Sequence, residues 1–288
     1  MRRTAALVLA LLCLLPATAS ATWSIIAVDL ATGRIVIASA TCVNNGDMFL
    51  RGVQAVLVPG KGIAACQASV DGTHANQMLV FNELKKGTSP ARIIEMLSAD
   101  PAFQSRQFGI VDLKGRSAGH SGLTNGYVSQ DIQGQVPGTK IYYSIQGNIL
   151  RPGEVVPSAV KAFIETKGAL TDRVMAAMEA ADAGGGDSRC SCPQVEAGAP
   201  APAIPCDGKT AHIAYIAMAE KSDKAGVGAM AADSSWAHNN GTYSLYITVD
   251  QPGHGDKNAT KPGENLNPVK TLRMRYDAWR KTQSASYK

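Results

Sequence analysis

The feature that most constrains this chain is a pair of β-strand signals that start directly after a leader-like stretch. Trp23 to Asp29 alternates and is rich in Ile and Val, and Arg34 to Thr41 is apolar and β-branched. Leu30-Ala31-Thr32-Gly33 between them is turn-forming, so the stretch reads as a hairpin. Upstream, Arg2 and Arg3 form a charged head, Ala5 to Leu15 is an apolar run too short to span a bilayer, and Ala19-Ser20-Ala21 is the small-x-small pattern of signal-peptidase cleavage. Cleavage after Ala21 makes Thr22 the first residue of both the mature chain and a strand. Sheet pairing then holds a terminus that would ordinarily be loose. Ala17-Thr18-Ala19 is a second acceptable pattern and would leave Ser20 first.

A free N-terminal threonine carries a hydroxyl nucleophile and an α-amine on adjacent carbons, a pairing that activates a weak nucleophile without histidine. With a reference pKa of about 7.7 to 8.0, roughly a tenth to a fifth of the amine is neutral at pH 7. The leader alone does not make Thr22 catalytic, since every exported chain begins with some residue.

Removing residues 1–21 from 288 leaves 267, and the expected organisation is one domain over 22–288 with an inserted Cys/Pro-rich loop at 190–209. The formal charge of +5 falls to +3 when Arg2 and Arg3 leave with the leader, and no basic run of five or more occurs. Nucleic acid is therefore not an expected partner, nor is the membrane after leader removal. The expected location is periplasmic or secreted. A homo-oligomer is allowed but not demanded.

Five of the six cysteines follow the leader. In an oxidising compartment the expectation is one bridge pinning the 190–209 loop, with Cys206 joined to Cys190 or Cys192, and a further Cys42 to Cys66 bridge. Cys190-x-Cys192 with Cys206 is not a zinc-ligand spacing, so no metal and no cofactor are expected.

Along the chain, Val53 to Val58 and Gly62 to Ala68 read as a second hairpin, and Thr73 to Lys86 as a helix ended by Gly87. Ser89-Pro90 opens another helix through Leu97. Gln107 to Asp112 and Ile141 to Gln146 read as strands, with loop over Leu123 to Lys140. Helices are expected at Glu154 to Thr166, Ala169 to Ala181 and Asn267 to Lys281, and strands at His212 to Met218 and Tyr243 to Val249. This order suggests an α+β fold with helices layered on two sheets.

Among motifs, a G-x-S-x-G elbow is absent, and the five histidines show no paired-ligand spacing. Gly226 to Ala231 fits a dinucleotide fingerprint by letters only, with no βαβ unit after it. Three segments look less like scaffolding. Gln146-Gly147-Asn148 sets two amides at a strand end, where they could donate to an oxyanion. Gly185-Gly186-Asp187-Ser188-Arg189 sets an acid and a base on a turn, and Gln67 is a polar residue in an otherwise apolar strand. Taken singly, each is more often a cap, a turn or a satisfied core group.

Thr22-Trp23-Ser24-Ile25-Ile26-Ala27-Val28-Asp29 with Thr32-Gly33 resembles the opening of the domain-of-unknown-function 1028 family. Further matches are Ala38-Ser39, Gln67-Ala68, Arg106-Gln107 with Gly109-Ile110-Val111-Asp112, Gln146-Gly147-Asn148 and Gly185 to Arg189. The resemblance runs from Thr22 to the last helix and departs at the cysteine-bearing insertion after Arg189 and at the long Asn258 to Asn265 excursion. It implies a four-layer αββα sandwich of two mainly antiparallel sheets, of N-terminal nucleophile hydrolase type. It also implies an amidohydrolase or peptidase-like enzyme acting on a small-molecule or peptide amide. Thr22 would be the nucleophile, Asn148 the oxyanion donor, and Asp187 and Arg189 further catalytic residues, with Ser39 and Gln67 orienting amine or substrate. The alternative is a non-catalytic envelope binding or interaction protein that keeps the fold.

Overall fold

The computed structural model describes residues 22–43, 47–69, 71–191, 207–225, 242–250 and 258–285. The leader, Cys192, Cys206 and the glycine-rich 226–231 stretch lie outside the described residues, as does most of the inserted loop. The fold is mixed α+β, with two antiparallel sheets and six α-helices among the described residues.

The opening hairpin forms as expected, from β1 (Thr22–Asp29) and β2 (Arg34–Thr41) around a turn in which Gly33 takes φ +77°. There follow α1 (Asp47–Gln54), β3 (Ala55–Val58), β4 (Gly62–Ala68), α2 (Ala75–Lys86) and α3 (Pro90–Leu97). Ser89 caps α3 through its side chain, which accepts from the Arg92 N–H, and Pro90 needs no amide partner at the first helical position. Next come β5 (Arg106–Asp112), β6 (Ser117–Ser121), β7 (Gln130–Gln135), β8 (Ile141–Asn148), α4 (Val155–Glu165) and α5 (Leu170–Ala183). The chain closes with β9 (Ile213–Ala219), β10 (Leu245–Asp250) and α6 (Pro268–Ala285).

Two expectations are corrected. Val53 belongs to α1, so the third strand starts at Ala55. Leu123 to Lys140 is not all loop, because Gln130–Gln135 pairs with β8 as an edge strand. Its sequence, Gln-Asp-Ile-Gln-Gly-Gln, is half-exposed and has no buried face to write a period-two pattern into it.

The larger sheet runs β10-β9-β2-β1-β8-β7 and the smaller β3-β4-β5-β6. Three apolar cores hold them. Trp23, Ile25 and Ala27 on one face of β1 pack with Phe163, Val174, Met178, Leu272 and Tyr276 from α4, α5 and α6. Ile26 and Val28 on its other face join Ile35, Ile37, Leu57, Ile63 and Val111, so this core lies between the sheets. Val56, Ala64, Phe108 and Ile110 meet Val80, Leu84, Ile93 and Leu97 of α2 and α3 on the far side of the smaller sheet. A fully buried side chain of this size contributes about 1.5–3 kcal/mol. No helix among the described residues is long and apolar enough to cross a membrane.

Candidate functional site

Thr22 begins β1 and is held on both sides, facing Thr41 of β2 and Asn148 of β8 in register. Period two then places Thr22 and Ser24 on the same face as Ile26 and Val28, toward the other sheet. The register repeats this on the neighbours: Ser24 faces Ser39 and Gln146, and Ile26 faces Ile37 and Ser144. One end of the inter-sheet layer is consequently built of hydroxyls and carboxamides.

Gln67 on β4 is the hub of this polar end. Its amide donates to the Thr22 carbonyl at 2.9 Å and to Gln107 Oε1 at 2.7 Å, while its Oε1 accepts from Ser24 Oγ at 2.5 Å and from Gln54 Nε2 at 2.9 Å. Every hydrogen-bonding position of the carboxamide is thereby used. Gln107 carries the chain on to the Gly147 carbonyl at 3.0 Å, and Tyr215 donates to Gln54 Oε1 at 2.9 Å. Burial pushes the Tyr215 phenol well above its ordinary range, so it remains a donor. Gly109 makes room for the crossing, since a Cβ there would sit 2.6 Å from Ser144 Oγ and 2.7 Å from Gln146 Oε1.

At the Thr22 end, its hydroxyl donates to Thr41 Oγ1 at 3.3 Å, long for an O–H···O bond. Thr41 Oγ1 also accepts from Arg189 Nη2 at 3.3 Å. Arg189 is paired with Asp187 at 2.7 Å, and Asp187, fully buried, also accepts from the Cys42 N–H at 2.8 Å and the Arg189 N–H at 3.0 Å. Asn148 donates to the Asn125 carbonyl at 3.1 Å. Asn148 Oδ1, Asn125 Oδ1 and Gln146 Oε1 are buried without a hydrogen-bond partner among the described residues.

The residues singled out in the sequence thus gather around one strand end: Asn148 beside Thr22, Gln67 on its carbonyl, and Asp187 and Arg189 one hydroxyl away. Ser39 lies one strand further on, facing Ser24, and its hydroxyl donates to the Trp23 carbonyl at 2.7 Å. Thr41, Gln54, Gln107 and Asn125 were given no role from the sequence. For Gln107 and Thr41 the signal was there, a polar residue at an inward position close to a strand end.

The cysteine pairing differs from expectation. Cys42 joins Cys190, with Cα atoms 6.0 Å apart, and Cys66 is free and buried. The Cys42–Cys66 bridge and a bridge from Cys190 to Cys206 are therefore both excluded, while the alternative Cys192 to Cys206 bridge lies outside the described residues. Cys66 ends on the opposite sheet from Cys42, whereas Cys42 continues from Thr41 toward the Asp187 turn. Burial, then the nearby Asp71 charge, pushes the Cys66 thiol up, which makes it a poor nucleophile.

The model of a family described as a family of unknown function, DUF1028, matches residues 22–196. The chain belongs to that family. A DUF1028 protein of Silicibacter pomeroyi, known from its crystal structure, is similar over 90% of this chain and 89% of its own, with a TM-score of 0.60 and 20% identity, a likeness of fold. No curated protein matches the sequence. The DUF1028 match begins at Thr22, whose hydroxyl and carbonyl both join the polar network.

Proposed function

We propose that the mature chain is an exported N-terminal-threonine amidohydrolase on a four-layer αββα sandwich of the N-terminal nucleophile hydrolase type. The observation that carries the reading is the position of Thr22, first in a strand paired on both sides and at the end of a buried polar layer. Once the leader is removed, the Thr22 α-amine takes the proton from its own hydroxyl as Oγ1 attacks the amide carbonyl. The tetrahedral intermediate collapses to a threonyl ester, the substrate amine leaves with the proton, and water hydrolyses the ester. The Asn148 amide exchanges the Asn125 carbonyl for the oxyanion, and the Arg189 charge acts through Thr41. The buried Oδ1 atoms of Asn125 and Asn148 are acceptors suited to a substrate N–H or the new α-ammonium.

The second reading is a non-catalytic binding protein on the same fold: with the leader still attached Thr22 is 2% exposed, and one N–H of the Asn148 amide is given to the Asn125 carbonyl. A β-lactone probe separates the two. If the enzyme reading holds, the secreted protein has lost residues 1–21 by intact mass, the probe modifies Thr22, and Thr22→Ala folds without being labelled. Labelling that persists in Thr22→Ala sinks the reading.

A further inference from the structure

We propose that the reduced chain holds a divalent cation of zinc type between Cys42, Cys190, Asp207 and His212, so that the Cys42–Cys190 pair is a disulfide in one redox state and a metal clasp in the other. The ligand atoms of Cys190, Asp207 and His212 all lie within 4.8 Å of one another; Cys42 Sγ falls outside that set while it is bonded to Cys190 Sγ, and reduction frees it to turn toward them. A tetrahedral zinc site with bonds of about 2.0–2.3 Å has ligand-to-ligand edges of roughly 3.3–3.8 Å. His212 Nε2 and Asp207 Oδ2 stand 3.3 Å apart, the short edge of that tetrahedron. Two thiolates, an imidazole and a carboxylate form a donor set matched to zinc rather than to calcium or magnesium.

The surroundings are those of a built site. Cys190 and His212 are buried while Asp207 is exposed, which leaves one side open for entry. The imidazole also hydrogen-bonds the Cys42 backbone, the kind of outer contact that fixes a ligating ring. Main-chain bonds hold the positions without help from the disulfide: Asp207 N and Gly208 N donate to the Cys190 carbonyl at 3.2 and 3.1 Å, and His212 N donates to the Thr41 carbonyl at 2.8 Å. Lys209 holds Asp207 Oδ2 at 2.7 Å, and an incoming dication displaces that ammonium. No spacing in the sequence announces this set, because its members come from β2, the Asp187 turn and the approach to β9.

The chemistry balances with a dithiol as reductant. It delivers two electrons and two protons to the Cys42–Cys190 bond and is itself oxidised to a disulfide, and metal uptake then expels the two thiol protons. Cys42 follows Thr41 and Cys190 follows Arg189, so either form of the clasp fixes the two segments that reach Thr22.

The test uses the mature chain, reduced with a dithiol, freed of it without air, and titrated with Co2+ alone. The expected result is saturable binding of one equivalent with a thiolate charge-transfer band. The oxidised chain should bind about a hundredfold more weakly, and the His212→Ala and Asp207→Ala variants should be weakened about tenfold or more. Zn2+ should raise the urea midpoint of the reduced chain and leave that of the oxidised chain unchanged, a comparison that needs no substitution. The Cys66→Ala variant and the Cys192→Ala, Cys206→Ala double variant should bind as the parent does. Equal binding by both redox forms overturns the proposal, as does none by the reduced form. Loss in the Cys192, Cys206 variant with retention in His212→Ala overturns it as well.

Discussion

The layer between the sheets has two halves made by the same strands. On β1, Ile26 and Val28 face Ile37 and Ile35, while two residues earlier Thr22 and Ser24 face Thr41 and Ser39. On the opposite sheet Ile63 faces Val111, while Gln67 faces Gln107. The apolar half is non-directional: any side chain of the right volume that stays dry serves it. The polar half is directional, since each carboxamide must find its partners or cost about 1–3 kcal/mol. A domain needing only stability would have continued the apolar half to the strand ends. Here it does not, and the change falls between Ser24 and Ile26, so the polar half is the part of the layer that stability alone does not explain.

The largest break in the comparison comes from forcing the polar character of one half onto the other. Ile63→Asp buries an unpaired carboxylate in the apolar half, at a cost comparable to the whole stability of a domain, about 5–15 kcal/mol. Loss of the folded far-ultraviolet circular dichroism spectrum is the expected result. The reverse exchange, Gln67→Leu, strands Ser24, Gln54, Gln107 and the Thr22 carbonyl together, and should lower stability by roughly 2–4 kcal/mol in urea melts while the chain still folds. It should also remove Thr22 labelling by a β-lactone. Ile37→Val, by contrast, should cost only about 0.5–1.5 kcal/mol and leave the labelling rate unchanged.

These contrasts also show what the sequence could tell. The apolar half was legible as strand, because β1, β2 and β4 are nearly continuous apolar runs, but these are buried on both faces and the order of residues does not say which face meets the other sheet. Asn148 and Gln67 were legible as polar interruptions near strand ends, Thr22 as the residue that follows the leader, and Asp187 and Arg189 as an acid and a base on a glycine-rich turn. Gln54 was not, because it fell inside the stretch read as the strand Val53 to Val58, whereas it ends α1, where Tyr215 and Gln67 both bond it. Asn125 was not, because it lies in a polar connection and acts partly through its main-chain carbonyl. The Cys42–Cys190 pairing depends on how the Asp187 turn meets the end of β2, a contact between residues 148 positions apart that no spacing rule reaches.

The smallest effect concerns acid, and it sharpens the contrast by showing what the polar half does not control. The amides and hydroxyls around Gln67 have no proton to gain near pH 4, so the acid limb of stability belongs to the carboxylates outside that set. Asp100, beyond the end of α3, is one of them. Burial acts to raise its pKa, but the Asn76 amide at 2.7 Å, the Ala102 N–H at 2.8 Å and the Arg106 guanidinium at 3.0 Å outweigh it and hold the carboxyl below its ordinary value. A depressed folded-state pKa means that the unfolded chain binds the proton first as pH falls. The stabilisation from Asp100 is accordingly complete above about pH 3.9, the unfolded value, and is lost as pH drops through the folded value. Asp100→Asn should therefore lower stability at pH 7 and flatten its decline below pH 4, read as urea midpoints across that range. Gln67→Leu should shift the same curve downward by a constant amount at every pH. If Gln67→Leu instead changes the slope below pH 4, a titrating group is coupled to the polar layer, and the division into a neutral directional half and an ionic periphery is wrong.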